Sequence, residues 1–141
     1  MGIDVGSVRV GVALSDPYGL FASPLITLTR DRGAADQRTI AALVREYDVV
    51  EVVVGLPLHL SGAQGGAADE ATAYSVGVST LIEPVPVRLV DERLSTRAAS
   101  ARLAAEGLDS RRQRGVVDQT AAAIILQSWL DQRAHGGRGR V

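Results

Sequence analysis

Three acidic residues lie far apart in the chain, at positions where folding could bring their carboxylates together. Asp4 interrupts the apolar opening run "GIDVGSVRVGVALSD", Glu92 stands beside Asp91 where an apolar run gives way to "DER", and Asp118 precedes the last apolar segment. Burying an unpaired carboxylate costs several kcal/mol, so an acid inside a core strand needs a partner. We expect that partner to be a divalent metal ion.

Clustered carboxylates are suited to one kind of chemistry. Two of them about 4 Å apart repel each other by about 4 kcal/mol at an effective dielectric of 20, so they must be protonated or bound to a cation. Hard oxygen ligands favour Mg²⁺ or Mn²⁺. Such ions can activate a water molecule and stabilise the leaving oxygen of a phosphodiester, without a lysine or histidine base.

Each acid also has a structural explanation when taken alone. If Gly6 and Ser7 form the turn of a hairpin, Asp4 lies opposite Arg9 and can form a cross-strand ion pair with it. A carboxylate in a first helical turn, as expected for Asp118, is favourable by about 0.3–1 kcal/mol. Glu92 and its neighbour can simply be a solvated strand end. Convergence at the carboxyl edge of an open α/β sheet distinguishes the functional interpretation from these alternatives.

The elements that must position these acids follow from periodicity and from turn residues. Strands are predicted over residues 2–6, 9–15, 20–29, 49–57 and 84–92, and helices over a segment containing Ile40 to Tyr47, over 71–82, from Ser95 through Leu103 to near Gly107, and over Val117 to Gln132. Residues 62–66 and the basic segment 111–115 are predicted loops. A strand meander followed by alternating strands and helices indicates an α/β fold with a mixed sheet.

Composition limits the possible classes of protein. A chain of 141 residues with 46% hydrophobic content fits a single domain, which we assign to residues 1–133, followed by a disordered tail at 134–141. There is no cysteine, which excludes disulfides and thiolate zinc sites and suits the cytoplasm. No apolar stretch approaches the roughly 20 residues of a membrane span, and no secretory leader is expected before Asp4.

Charge is distributed unevenly along the chain. Residues 1–92 contain 6 Arg and 12 acids, whereas residues 93–141 contain 9 Arg and 4 acids. The stretch 93–114 is the candidate surface for a nucleic-acid backbone, with a solvated helix face as its alternative. Its arginines are Arg93, Arg97, Arg102, Arg111, Arg112 and Arg114. Because aromatic residues are few, recognition is expected to depend on phosphate and shape.

Four sequence blocks carry a resemblance to a known family. They are "GIDVGSVRVGVALSD", "VVVGLPLHLSG", "VDERLST" and "VVDQTAAAIILQSWLD", which occur in this order over residues 2 to about 133. The chain resembles the YqgF (RuvX) family, in the RuvC-like branch of the ribonuclease H fold. The resemblance implies a mixed five-stranded sheet, made of an antiparallel three-strand meander plus parallel strands and flanked by helices. It also implies a two-metal nuclease that uses Mg²⁺ or Mn²⁺.

The resemblance also assigns roles to residues. It implies that Asp4, Glu92 and Asp118 are the catalytic and metal-binding acids. RuvC-like resolvases carry an acid on the fourth strand, where this chain has Gly55, so Glu92 must replace that acid from the neighbouring strand. The arginines of the same motifs, Arg9 and Arg93, are expected to contact phosphate, and with the basic stretch they give the substrate-binding set Arg9, Arg93, Arg97, Arg111, Arg112 and Arg114.

Three functions remain open from the sequence. The family is associated with processing of the 5′ end of the 16S rRNA precursor in ribosome biogenesis, which favours structured or single-stranded RNA as the partner. A Holliday junction resolvase acting on branched DNA is the first alternative, and a homodimer would suit it. The second alternative is a non-catalytic RNA-binding factor in ribosome assembly. No membrane partner is expected.

Overall fold

The structure is a computed structural model that describes residues 1–93 and 110–138. Its strands are β1 (Gly2–Val5), β2 (Arg9–Ser15), β3 (Ala22–Thr29), β4 (Val52–Leu56) and β5 (Val87–Asp91). The helices of this part of the chain are α1 (Ala35–Glu46), α2 (Gly66–Ile82) and α3 (Ser110–Arg138). The helix predicted from Ser95 to Gly107 lies outside the described residues.

The five strands form one mixed sheet in the order β3-β2-β1-β4-β5. β1 pairs antiparallel with β2, and β2 with β3, which gives the predicted meander. β4 lies parallel to both β1 and β5. The α/β architecture expected from the order of elements is therefore confirmed, and the valine-rich β4 lies inside the sheet, as a continuous apolar strand should.

Alternation along the strands divides the core into two layers. Ile3, Val12 and Val54 point to the face that α1 and α2 cover, whereas Ala13 and Val53 point to the face that α3 covers. Successive side chains of a strand point to opposite faces, so Asp4, which follows Ile3, points toward α3. The carboxylate in β1 thus lies on the face opposite the larger core.

Gly2 on β1 allows α3 to lie close to this strand. A Cβ atom on Gly2 would lie only 2.7 Å from the backbone oxygen of Ala122. Ala122 and Ile125 are fully buried in this interface. Asp118 precedes Ala122 by one helical turn, so it lies on the same face of α3, as the helical spacing predicts.

The hairpin between β1 and β2 differs from the prediction. Val5 pairs with Val10, and the Gly6 N–H donates to the Arg9 carbonyl oxygen at 2.8 Å, so the turn is centred on the two residues between them. Asp4 consequently lies opposite Gly11, and the cross-strand pair with Arg9, which was the structural alternative for Asp4, is wrong. This register extends the pairing of β1 and leaves Val8, 59% exposed, at the tip of the turn.

Helix α3 is longer than predicted at both ends. It includes residues 111–115, so the prediction of a basic loop there is wrong, and it continues past Gln132 through residues 134–138, which we assigned to the tail. Arginine and glutamine are good helix formers, and one interior glycine costs only about 1 kcal/mol. Asp118 therefore lies in the helix interior and not in its first turn, where a helix dipole would stabilise it.

Candidate active site

The carboxyl ends of three strands form the candidate site. Because β1, β4 and β5 are parallel, they end at the same edge of the sheet. Asp4 lies near the end of β1, Gly55 near the end of β4, and Glu92 directly after β5. The Glu92 N–H donates to the Leu56 carbonyl oxygen at 3.3 Å, which fixes the Glu92 backbone beside the end of β4.

Gly55 leaves the space that the Glu92 carboxylate occupies. A Cβ atom at Gly55 would collide with Oε2 of Glu92 and would lie 2.6 Å from Cδ1 of Ile125. The absence of a side chain at Gly55 on β4 therefore makes room for the carboxylate that follows β5. This geometry agrees with the expectation that Glu92 takes the place of an acid on the fourth strand.

Asp4 and Glu92 interact directly. Their carboxyl groups are close enough to form a hydrogen bond when one of them is protonated. Glu92 is 8% exposed, and its Oε2 atom is buried with no hydrogen-bond partner among the described residues. A buried polar atom without a partner is uncommon and expensive, so it needs an explanation.

Burial and mutual repulsion shift the protonation of this pair. Desolvation, the charge of Asp4, its hydrogen bond and then the charge of Asp91 raise the pKa of Glu92 to about 8. Desolvation and the charge of Asp118 raise the pKa of Asp4 to about 6, against the opposing effect of the hydrogen bond from Glu92. At neutral pH the pair therefore holds one proton between its two carboxyl groups.

Asp118 approaches this pair but is bound to another partner. Its negative charge acts on Asp4, yet its Oδ2 atom accepts a hydrogen bond from Nε of Arg9 at 2.9 Å. Within residues 1–93 and 110–138, no three acidic or histidine side chains are arranged as one group ready to hold a metal ion. The structure thus brings Asp4 and Glu92 together and directs Asp118 toward Arg9.

The donor set fits a hard divalent cation in part. Asp4 and Glu92 share a proton that such a cation can replace, and the unpartnered Oε2 of Glu92 is a ligand atom already stripped of water. Asp118 supplies a third carboxylate only if Arg9 releases it. The sequence gives no signal for the ion pair between Arg9 and Asp118, whose members are 109 positions apart.

Arg93 is paired with its neighbour, which was the structural alternative for it. Its guanidinium donates from Nη2 to Oδ2 of Asp91 at 2.6 Å and from Nη1 to the Leu60 carbonyl oxygen at 3.3 Å. The side-chain bonds from Arg93 lower the pKa of Asp91. Sequence reasoning missed the second contact, through which Arg93 ties the loop after β4 to the end of β5.

The remaining predicted arginines cannot be placed at the site. Arg97 and Arg102 lie outside the described residues. Arg111, Arg112 and Arg114 belong to α3, and their side chains also lie outside the described part of the structure. Of the substrate-binding set, only Arg9 and Arg93 therefore have described side chains beside the acidic residues.

Comparison with known proteins places the chain in a family. The model of the RuvX family, described as Holliday junction resolvase, matches residues 1–132. The chain belongs to the RuvX family. A RuvX relative from Rhodococcus erythropolis, named "Putative pre-16S rRNA nuclease", is 53% identical over 94% of this chain and 77% of its own length. A relative of the same name from Mycobacteroides abscessus is 49% identical over 97% of this chain and 83% of its own length.

Solved structures confirm the RuvC-like fold of this RuvX-family chain. Thermus thermophilus RuvC, in complex with a Holliday junction substrate, superposes with a TM-score of 0.56 over 94% of both chains at 16% identity. At that identity the likeness concerns the fold alone. The RuvX relatives are nucleases by name, so this protein is a member of a nuclease family. In the described part of the chain, no helix combines the length and apolarity needed to cross a membrane.

Proposed function

We propose that this protein is a metal-dependent nuclease that hydrolyses phosphodiester bonds in RNA, and that it processes the 5′ end of the 16S rRNA precursor in the cytoplasm. The buried, unpartnered Oε2 of Glu92 beside Asp4 is the observation that carries the proposal. The names of the curated relatives support the choice of RNA precursor. The geometry supports a site that holds a cation between strand ends.

Each residue at the edge has a role in this proposal. Asp4 and Glu92 would hold Mg²⁺ or Mn²⁺, with Asp118 as the third carboxylate. When bound, the metal would supply Lewis-acid polarisation of the phosphate and a more acidic water molecule. Asp4 and Glu92 would lose their shared proton to make room for it, and the buried Ile125 keeps the Glu92 carboxylate out of bulk water. Arg93 lies at the rim of the site, on the strand end where the RNA backbone must pass.

A cleavage assay tests the proposal. Precursor rRNA, single-stranded RNA and a four-way DNA junction are incubated with the protein in Mg²⁺, in Mn²⁺ and in a chelator. We expect cleavage of the precursor only when a metal is present, and loss of that cleavage in Asp4→Asn with no decrease in melting temperature. Metal-independent cleavage, or an active Asp4→Asn protein, would contradict the assignment.

A matched control distinguishes loss of a catalytic carboxylate from loss of a buried carboxylate elsewhere in the protein. Asp36 is also buried, but it accepts a hydrogen bond from the Tyr74 hydroxyl at 2.7 Å on the other face of the sheet. Asp36→Asn should lower the melting temperature and leave turnover per folded molecule unchanged. The two aspartates thus predict opposite patterns of stability and activity.

Cleavage of branched DNA is the second candidate function. The description of the family as Holliday junction resolvase favours it. A resolvase would cut the four-way junction in preference to RNA, and it would act as a dimer because the junction has two equivalent strands to cut. Tight RNA binding without cleavage in either metal would instead favour a non-catalytic assembly factor.

A further inference from the structure

The ion pair between Arg9 and Asp118 lies at the edge of the sheet that carries the candidate site. Arg9 opens β2 at the same edge where β1 ends, and Asp118 comes from the interior of α3. Their side chains are 36% and 19% exposed, so the pair is open to solvent, whereas Asp4 is half-buried and Glu92 is buried. The arginine is therefore reachable by a ligand that approaches from outside.

Arg9 and a bound cation would compete for the same carboxylate. Asp4 points toward α3, and Asp118 lies on the face of α3 that covers the sheet, one turn before the buried Ala122, so a cation held by Asp4 and Glu92 would also be attracted to Asp118. While Arg9 holds Asp118, its guanidinium repels that cation and occupies one of the oxygen ligands. While Asp118 is paired with Arg9, a metal ion would therefore bind more weakly than it would to three free carboxylates.

An incoming phosphate can relieve this competition. A guanidinium has five N–H donors in a planar fork that matches a phosphate, and the bond to Asp118 uses the Nε donor. A backbone phosphate that binds Arg9 neutralises its charge and offers a replacement for the carboxylate. Asp118 is then free to turn toward the other two acids.

We propose that Arg9 is a positioning residue that exchanges Asp118 for a phosphate of the bound nucleic acid, so that nucleic acid and divalent metal raise each other's affinity. The inference rests on the proposed function, because it requires the cation to bind at Asp4 and Glu92. Coupling between two ligands is reciprocal, so the factor by which RNA strengthens metal binding equals the factor by which metal strengthens RNA binding. Metal-free protein would keep its third carboxylate masked until substrate arrives.

Calorimetric titration with Mn²⁺ tests the coupling without relying on catalysis. Wild type, Arg9→Gln and Arg9→Lys are titrated at neutral pH, with and without a short oligouridylate whose integrity is checked on a gel afterwards. In wild type we expect the oligonucleotide to strengthen Mn²⁺ binding roughly 5- to 150-fold, the usual range for coupled sites. In Arg9→Gln, Mn²⁺ should bind more tightly than to wild type without RNA, and RNA should add little.

Two further variants make each outcome decisive. Arg88→Gln removes another arginine ion pair, with Glu51 at the opposite edge of the sheet, and it should keep the wild-type coupling. Arg9→Lys keeps the charge but loses the planar fork, so its coupling should be smaller than that of wild type even if Arg9→Gln folds poorly. Unchanged Mn²⁺ affinity and coupling in both folded Arg9 variants would overturn the inference. Mn²⁺ binding that survives Asp4→Asn would instead overturn the proposed metal site.

Discussion

Two glutamates at opposite edges of the same sheet differ in almost every interaction. Glu51 lies just before β4, where its Oε2 accepts from Nε of Arg88 at 2.7 Å and its Oε1 accepts from Nε1 of Trp129 and Nη1 of Arg133 at 3.0 Å each. Burial alone would raise the pKa of Glu51. Hydrogen bonds from Arg88 and Trp129 and the charges of Arg133 and Arg88 instead bring it below its ordinary value.

Glu92 has none of this compensation within the described residues. It is buried beside another carboxylate, its Oε2 lacks a partner, and its pKa is raised to about 8. Within the described residues, Glu51 therefore has three hydrogen-bond donors, whereas Glu92 has no positively charged partner. The comparison indicates that Glu51 stabilises the fold, whereas the shifted pKa of Glu92 is typical of a functional site.

The largest expected effect is that replacing these two glutamates by glutamine changes activity and stability in opposite ways. Glu92→Gln should reduce cleavage by roughly a thousandfold, about 4 kcal/mol of transition-state stabilisation, because a metal ligand is lost. Its melting temperature should stay the same or rise, since an amide can donate to Asp4 without any charge. Single-turnover cleavage of the RNA precursor and thermal denaturation give the two measurements.

Glu51→Gln is the matched control and should show the reverse pattern. The charge that three donors share is removed, which should cost about 1–3 kcal/mol of stability and lower the melting temperature by several degrees. Cleavage per folded molecule should be unchanged. If Glu92→Gln stays active, or if Glu51→Gln alone abolishes turnover, the division between a stabilising and a functional edge is wrong.

The next effect is the contribution of Asp4 and Glu92 to the pH dependence of stability. In metal-free protein the pKa of Glu92 rises from its ordinary value of 4.5 to about 8, and that of Asp4 rises from 3.8 to about 6. The folded state therefore holds protons that the unfolded chain releases. The stability that this pair contributes should be fully present below about pH 4 and should be lost as the pH rises from there to about 8.

Urea denaturation at a series of pH values in a chelator measures this loss. Each pKa unit of difference corresponds to about 1.4 kcal/mol, so the wild-type free energy of unfolding should fall by a few kcal/mol across the window. Glu92→Gln should have a much flatter profile, and comparison with wild type cancels the titrations that both proteins share. Parallel profiles would mean that Glu92 is not protonated in the folded state at neutral pH.

A smaller effect concerns the space above β4. In Gly55→Ala the new methyl group must displace Glu92 and Ile125, which should cost about 1–3 kcal/mol and also reduce cleavage, because the acid moves with its neighbours. Chemical denaturation and the cleavage assay measure both. An equally stable and active variant would show that the carboxylate does not need this space.

Gly66→Ala is the matched control for the same substitution. Gly66 is the first residue of α2, and a Cβ atom there would have nothing within 4 Å. Alanine also loses less backbone freedom than glycine on folding, so stability should stay the same or rise by about 0.4–1 kcal/mol. A loss comparable to that of Gly55→Ala would point to a general cost of replacing glycine.

Local pattern was enough to predict the sheet and its order of elements. Alternation and valine-rich runs mark the strands. Ala122 and Ile125 follow Asp118 at helical spacing, which predicts the side of α3 that faces the sheet. The hairpin register was predicted wrongly, because a shift by two residues keeps the same side chains on the same faces. Pattern alone could not choose between pairing Asp4 with Arg9 and pairing it with Gly11.

The electrostatic state of the candidate site could not be predicted from pattern at all. Whether Asp118 faces Asp4 or Arg9 depends on side-chain positions set by the packing of α3 on β1, where Gly2 meets Ala122. The start of α3 was also missed, since propensity favoured a helix through the arginines while Gly115 suggested a break. The sequence could therefore name the acids, but only the fold shows that Asp4 and Glu92 lie together while Asp118 pairs with Arg9.

The smallest expected effect compares one arginine from each edge in the salt dependence of RNA binding. Arg93 lies beside Glu92 and contacts Asp91 and the Leu60 carbonyl, whereas Arg133 lies beside Glu51 at the far edge. If the RNA backbone passes the carboxyl ends of the strands, Arg93→Ala should reduce the slope of log affinity against log salt by about 1, because one phosphate contact is lost. Arg133→Ala should leave that slope unchanged, since no phosphate reaches it.

Binding is measured by fluorescence anisotropy at several salt concentrations in a chelator, so that cleavage does not interfere. Equal slopes for both variants would place the RNA elsewhere on the molecule, and a reduced slope in Arg133→Ala alone would move it to the Glu51 edge.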